Sequence, residues 1–328
     1  MYTNTSNIPL TFAIWLAADH GYDLTFNPNV LSTTEILRPM RSIILSRQLA
    51  EQKSKDKVVT RDIEEKAASS LGTAVHTAVE FAWLSHYELA MANLGIPLAT
   101  IESVAINPKN PKPKDFNVYF EKRTAKPIEG YTLSGKFDIV MNGRVHDIKT
   151  TKAYTYQKGT QNEKYRMQGS IYRWLNPELI TEDIMSVDYY FTDWNPVSAR
   201  KDKDKNYPPA RMLEKTLPLA GLEETEHFIR NRLLEIRHYT GQDQDHLPRC
   251  TPEELWQNPA KWEYWSKATN KQCSKLFDDR GEAEAWTTSK GVGFIQERQY
   301  EPKFCKYCDA SSICKQAQGF IAAGLLTI

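Results

Sequence analysis

Apolar and polar residues alternate on both sides of an Asn-Gly dipeptide in the stretch SGKFDIVMNGRVHDIKTTK, residues 134–152. Asn-Gly between apolar and β-branched residues is the strongest short signal for a hairpin with a two-residue type I′ turn. If Asn142 and Gly143 form the loop, the paired strands bring Asp138 opposite Asp147. Side chains alternate between the two faces of a strand, so the pattern predicts one packed face and one charged face. The charged face would carry Lys136, Asp138, Val140, Val145, Asp147 and Lys149.

This pair of opposed carboxylates is the first candidate site. Like charges facing each other across a sheet are destabilising, so a buried pair shares a proton or recruits a cation. Magnesium suits such a pair because it binds one or two carboxylates and keeps several waters. The alternative is a solvent-facing hairpin in which Lys136 and Lys149 form salt bridges with the two aspartates.

Periodicity in the rest of the chain predicts helices mixed with strands. Apolar residues spaced three and four apart predict helices at 31–53, 61–94, 161–175 and 222–238. Runs of β-branched and aromatic residues predict strands at 116–122, 131–141, 144–150 and 185–194. These elements predict an α/β fold with a mixed central sheet flanked by helices, a helical N-terminal region and an irregular C-terminal region that contains the cysteines. We expect a helical region at 1–60, a core at 61–240 and a C-terminal region at 241–328 that is part of the same domain.

Composition narrows the classes of function. The 328 residues include 42 lysines and arginines and 41 acidic residues, a net charge of +1, which argues against a generally basic coat for nucleic acid. Lysine-rich stretches at 107–115 and 199–211 predict exposed loops, either solvated or in contact with a DNA backbone. The apolar stretch at 8–18 is too short to span a bilayer and lacks a basic leader, so we expect a cytoplasmic protein with no membrane partner.

Two further sets of polar residues have helical spacing. Gly72, His76 and Glu80 recur every four residues and would form one stripe on a helix, where Gly72 would permit the close approach of another backbone. Gln168 and Tyr172 are also four residues apart. Taken singly, the histidine is more typical of a satisfied core or surface residue, and the tyrosine of ordinary packing.

Five motifs taken together resemble the nuclease domain of the RecB-type branch of the PD-(D/E)xK superfamily, which includes iron–sulfur exonucleases. In chain order they are LGTAVHTAVE, FEKR, GKFD, HDIKTTK and MQGSIY. The resemblance covers residues 65 to 175 and implies a restriction-endonuclease-like sheet with a metal-dependent active site.

The resemblance also implies a role for each matched residue. Asp138 and Asp147 would bind magnesium or manganese, with His76 and the backbone carbonyl of Ile148 as further ligands. Lys149 would orient or activate the attacking water. The supporting residues implied are Glu121 beside the site, Gln168 and Tyr172 positioning DNA, and Glu80 behind the ligands.

The cysteines form a second candidate metal site. All five follow residue 249. Because five is an odd number and the chain has no secretion signal, we do not expect these cysteines to form a framework of disulfides. Cys305, Cys308 and Cys314 have the C-x2-C-x5-C spacing that the same family uses for three ligands of a [4Fe-4S] cluster. The family's first cysteine precedes an N-terminal proline, whereas Arg38 precedes Pro39 here. The alternatives are a cluster completed by Cys273 or Cys250, a zinc site, and a site that binds no metal.

These features together predict a magnesium-dependent DNA exonuclease. It would act on linear duplex or single-stranded ends in recombination or genome processing, with a single-strand annealing or recombination protein as a further partner. Size and resemblance suit a phage-type stand-alone enzyme, and no GxxxxGK[ST] phosphate loop is present. The rival functions are an endonuclease or CRISPR-adaptation-type end-trimming nuclease, and a catalytically silent DNA-binding subunit.

Overall fold

A computed structural model describes residues 2–18, 26–56, 61–112, 115–202 and 206–327. The strands are β1 (Tyr2–Thr3), β2 (Val30–Ser32), β3 (Arg61–Asp62), β4 (Val104–Ile106), β5 (Phe116–Phe120), β6 (Arg123–Ile128), β7 (Tyr131–Lys136), β8 (Ile139–Met141), β9 (Arg144–Thr151), β10 (Ile184–Phe191), β11 (Met212–Pro218), β12 (Lys261–Trp265), β13 (Lys275–Phe277) and β14 (Phe294–Arg298). The helices are α1 (Leu10–Ala17), α2 (Thr33–Ile36), α3 (Met40–Asp56), α4 (Ala67–Asn93), α5 (Leu98–Glu102), α6 (Ala153–Lys158), α7 (Asn162–Leu175), α8 (Pro196–Lys201), α9 (Leu222–Tyr239), α10 (Arg280–Lys290) and α11 (Lys315–Ala322). The predicted lysine-rich loops lie partly outside the described residues, at 113–114 and 203–205.

The chain divides into two compact units. The first combines Met1–Leu37 with Lys53–Leu234, and the second combines Arg38–Gln52 with Glu235–Ile328. The predicted domain bounds at residues 60 and 240 stay a prediction.

A six-stranded mixed sheet forms the centre of the first unit, in the order β11-β10-β9-β8-β5-β4. β9 runs parallel to β10 and β4 parallel to β5, while the other neighbours are antiparallel. One face packs in a cluster with Tyr165 and Tyr172 of α7. The other packs against Val75, Val79 and Trp83 of α4. The predicted mixed α/β fold with a helical N-terminal region is confirmed.

The predicted hairpin is present with the predicted register. Val140 pairs with Val145 and Met141 with Arg144. Asn142 and Gly143 have φ values of 45° and 90°, the left-handed conformation that a type I′ turn requires at both positions. Asparagine and glycine adopt that conformation at lower cost than other residues, which is why this dipeptide fixes the turn.

The single strand predicted at 131–141 was wrong, because the chain breaks at Phe137 and Asp138. Residues before the break belong to β7, in a separate sheet with the order β2-β7-β6, and residues after it belong to β8. Phe137 therefore packs with Val140 and Val145, instead of with Ile139 as alternation would require. The expectation of one packed and one charged face was also wrong: Val140 and Val145 are fully buried, while Ile139 and Ile148 are 4% and 8% exposed.

The predicted N-terminal helices begin later than expected. The segment at 31–53 contains β2, then α2, and then Pro39, after which α3 begins. Ser32 and Glu35 form a reciprocal capping box that starts α2. In α4, the expected close approach at Gly72 is absent, because no heavy atom within the described residues would lie within 4 Å of a Cβ at that position.

The second unit contains a small antiparallel sheet that sequence patterns did not reveal, in the order β13-β12-β14. Tyr264, Phe277 and Ala283 form its buried cluster, and Trp262 and Trp286 pack against it. The cysteine-bearing stretch at 303–314 is irregular, as predicted, with a short 3-10 turn followed by tight turns. None of the helices in the described part of the chain combines the length and apolar character needed to cross a membrane.

Candidate active site

A cleft of about 1150 Å³ opens in the first unit. Its walls contain every residue to which the five motifs assign a role: His76, Glu80, Glu121, Asp138, Asp147, Ile148, Lys149, Gln168 and Tyr172. These residues come from α4, α7, the end of β5, the break before β8, and β9. The structure therefore brings together residues that are far apart in the sequence.

The break before β8 aims Asp138 at the backbone of β9. Its Oδ2 accepts a hydrogen bond from the Ile148 amide at 2.9 Å. The Ile148 carbonyl lies 3.1 Å from Nε2 of His76, which α4 projects toward the sheet. Nδ1 of the same imidazole is 3.6 Å from Asp138 Oδ1. One carboxylate, one carbonyl and one imidazole thus converge at a single point.

Asp147 forms the buried end of the cleft, with only 1% of its surface exposed. Lys149, two residues further along the same face of β9, places Nζ 2.5 Å from Asp147 Oδ2. From α7, Gln168 donates one Nε2 hydrogen to Asp147 Oδ1 at 3.1 Å and another to the Tyr172 hydroxyl at 2.9 Å. The four-residue spacing of Gln168 and Tyr172 places both side chains on the same helical stripe.

Burial and the interactions between neighbouring charges shift the pKa values of Asp138 and Lys149. Burial, together with the nearby Asp147 carboxylate, raises the pKa of Asp138 from 3.8 to about 6. Burial alone would lower the pKa of Lys149, but Asp147 and Asp138 outweigh it and hold this pKa above its usual range. Lys149 therefore stays protonated at neutral pH, and a bound cation would further relieve the repulsion between the carboxylates.

Glu121 reaches the same point from the end of β5. Its φ of 48° lies in the left-handed region, which costs a non-glycine residue energy and occurs in turns and at active sites. Its amide donates to the Asp138 carbonyl at 3.0 Å, and its carboxylate forms an ion pair with Lys136. The ligand atoms of His76, Glu121 and Asp138 all lie within 4.8 Å of one another, a grouping that could hold a metal ion.

Gly135 and Tyr165 contribute in ways that sequence reasoning missed. A Cβ at Gly135 would lie 2.6 Å from both Leu175 Cδ1 and Thr33 Oγ1, and 3.1 Å from Tyr172 Cδ1. Glycine at this point thus allows α7 to pack close behind the strand break at Phe137 and Asp138. The GKFD motif contained this glycine, but nothing in it identified the neighbour. Lys149 Nζ also lies 5.2 Å from the ring centre of Tyr165.

A second group of potential ligands lies on the neighbouring strands β9, β10 and β11 of the central sheet. His146, Asp188 and Glu214 have ligand atoms within 4.8 Å of one another, so this group could also hold a metal ion. His146 Nδ1 is 3.0 Å from Asp188 Oδ2, and Glu214 already accepts a hydrogen bond from Ser186 at 2.5 Å. The HDIKTTK motif contains His146, but the resemblance assigned no role to it or to the other two residues.

Four of the five cysteines lie together in the second unit. Cys250, Cys305, Cys308 and Cys314 line one cavity, and none forms a disulfide. Cys273, the first alternative for a fourth ligand, does not line that cavity and precedes β13. The structure therefore places Cys250, rather than Cys273, with the C-x2-C-x5-C group.

Comparisons with known proteins do not assign a function to this chain. No protein-family model matches the sequence, and no curated protein matches it. Among solved structures, SSO0001 is similar at 15% identity and a TM-score of 0.40, over 71% of this chain and 82% of that one. A candidate exonuclease from Eubacterium rectale is similar at 10% identity and a TM-score of 0.34, over 73% of this chain and 86% of that one. At such TM-scores neither likeness assigns an activity to this chain.

Proposed function

We propose that the chain is a metal-dependent DNA nuclease of the RecB-type branch of the PD-(D/E)xK superfamily, acting on DNA ends as an exonuclease. The observation that carries the proposal is the convergence of Asp138, Asp147 and Lys149 in one cleft. A catalytically silent DNA-binding subunit would have no need to keep a buried aspartate and lysine in contact.

The donor set of the cleft suits magnesium or manganese. Asp138, Asp147 and the Ile148 carbonyl supply oxygen atoms, the ligands that these hard cations prefer, and His76 and Glu121 stand beside them. A cation bound there would neutralise charge on the scissile phosphate and favour a hydroxide nucleophile near neutral pH.

The protein's own groups supply the remaining chemistry. Since Lys149 is protonated, it acts as a fixed positive charge that can hold the attacking water and stabilise the negative charge that develops on the phosphate oxygens. Asp147 holds the lysine in place, and Gln168 in turn holds Asp147. Gln168 and Tyr172 also line the cleft, where they can contact the DNA backbone.

The preference for ends rests on the resemblance of residues 65–175 to exonuclease domains. A linear duplex or a single-stranded end is the expected substrate. A partner that anneals or pairs the resulting single strand would complete a recombination system.

The decisive experiment is digestion of end-labelled linear DNA and closed circular duplex with magnesium or manganese. The purified protein is compared with Asp147→Asn, and Asp188→Asn serves as a matched control in the second ligand group. We expect loss of linear DNA with the wild type and with Asp188→Asn, and none with Asp147→Asn. The order in which the two end labels disappear gives the polarity.

Each other outcome has a separate meaning. Cleavage of the closed circular duplex would show that the protein is an endonuclease and not an exonuclease. Loss of activity in Asp188→Asn alone would move the active site to the second ligand group. No cutting of any substrate with either metal would refute the nuclease and favour a DNA-binding subunit.

A further inference from the structure

The cavity in the second unit is lined by four thiols that come from two separate stretches of chain. Cys305, Cys308 and Cys314 lie on the irregular stretch before α11, whereas Cys250 lies in the loop after α9. Cys305 and Cys314 are buried, and Cys250 and Cys308 are partly buried. This position of Cys250 does not follow from its spacing in the sequence.

Gln316 holds the backbone of Cys250 in place. Its Oε1 accepts a hydrogen bond from the Cys250 amide at 2.9 Å, and its Nε2 donates to the Cys250 carbonyl at 3.0 Å. The Gln316 side chain is only 7% exposed, so both bonds are shielded from water. Because Gln316 lies two residues after Cys314, this pair of bonds ties the isolated cysteine directly to the other three.

Arg41 places a buried positive charge in the wall of the same cavity. It is 5% exposed, and its guanidinium donates hydrogen bonds to the carbonyls of Gln244, Leu247 and Pro248. Among the residues that the structure describes, it has no carboxylate partner within 4 Å. A buried charge without a partner is costly, so the cavity is suited to an anionic group.

The sulfur atoms are not grouped closely enough for a single bound ion. A zinc ion bound by four thiolates at about 2.3 Å would bring their sulfur atoms to about 3.8 Å of one another. Within the described ranges, no three cysteine sulfurs lie within 4.8 Å of one another. An iron–sulfur cubane holds its thiolates further apart than a zinc ion does, because four iron atoms lie between them.

We infer that Cys250 is the fourth thiolate ligand of a [4Fe-4S] cluster held with Cys305, Cys308 and Cys314. All four ligands then come from residues 250–314, and no cysteine near the N-terminus is required. Ser42, whose Oγ lies 3.3 Å from Cys308 Sγ, can donate a hydrogen bond to that sulfur. This inference is independent of the nuclease activity, since the site lies in a different unit from the cleft.

The test uses the full chain, expressed with iron supplied and purified without oxygen. We expect about four iron and four sulfide ions per chain and the visible absorbance of iron–thiolate bonds. Cys250→Ser should lose most of the iron and the absorbance, whereas Cys273→Ser, the matched control, should retain both. Gln316→Leu should bind the cluster but release iron to a chelator several-fold faster than the wild type.

A second measurement does not depend on a variant that folds. Alkylation of the native wild-type protein, followed by mass mapping, should modify Cys273 at the same rate before and after the metal is removed. Cys250 should become reactive only after removal. Zinc in place of iron, an absence of metal, full iron content in Cys250→Ser, or equal labelling of Cys250 in both states would each overturn the inference.

Discussion

The contact between Lys149 and Asp147 offers the most direct test of the energetics of the cleft. We compare the wild type with Lys149→Met, Asp147→Asn and the double variant. Methionine keeps the length of the lysine stem and asparagine keeps the shape of the aspartate, so each change removes charge with little change in volume. Lys136→Met serves as a matched control, because Lys136 also forms an ion pair in this cleft but is 41% exposed.

The burial of the two side chains sets the expected magnitude. Asp147 is 1% exposed, and removal of one partner from a fully buried pair costs about 3–5 kcal/mol. The Lys149 side chain is 23% exposed, so water screens part of that interaction and we expect Lys149→Met to lose about 2–3 kcal/mol. The double variant removes both charges together. We expect its loss of stability to be smaller than the sum of the two single losses by about 2 kcal/mol. The control should lose less than about 1 kcal/mol.

Urea unfolding at pH 7 in the presence of a chelator measures all five proteins. Added magnesium should return part of the lost stability to Lys149→Met, because a cation can replace the missing charge. It should return little to Asp147→Asn, which has lost a proposed metal ligand. A coupling below about 0.5 kcal/mol between the two sites would be within the additivity of independent residues and would refute the reasoning.

Three further predictions concern other residues of the cleft. The raised pKa of Asp138 means that its stabilising contribution is fully present below pH 3.8 and is lost as the pH rises through about 6, a change of about 3 kcal/mol in the metal-free protein. Urea unfolding of Asp138→Asn from pH 4 to pH 7 should lack that fall, and an unchanged pH profile would contradict the assignment. Gly135→Ala should lower the free energy of unfolding by about 1–3 kcal/mol through the close contacts that a Cβ would make. Gly72→Ala, in an open position on α4, should raise it by up to about 1 kcal/mol. The same urea assay checks both variants, and equal effects would show that the space around Gly135 is not limiting. Tyr172→Phe removes the hydroxyl that accepts a hydrogen bond from Gln168, so kcat for DNA cleavage should fall about 5- to 10-fold, and the free energy of unfolding should fall by about 1–3 kcal/mol because a buried Gln168 hydrogen loses its acceptor. An unchanged kcat would assign Tyr172 to packing alone.

Local patterns predicted the hairpin because the signals that fix it are local. The φ values required at Asn142 and Gly143 are available to those two residues whatever surrounds them, and the turn then sets the register of β8 and β9. The break at Phe137 was missed for the opposite reason. An uninterrupted apolar pattern cannot show that the chain leaves one sheet and enters another. That change is imposed by β2 and β6, which both pair with β7 and lie outside the stretch in which the pattern is read.

The sequence by itself determined the strand–turn–strand unit, the helical stripes of α4 and α7, and the order of the polar residues along them. Only the tertiary structure decided which of these residues meet. His76 contacts a carbonyl 72 positions away, and Gln316 fixes a cysteine 66 positions away. The physical reason is that turn and helix preferences act over a few residues, whereas such contacts depend on how buried faces pack. Packing is specified by the shape of the whole core, which no single stretch of sequence encodes.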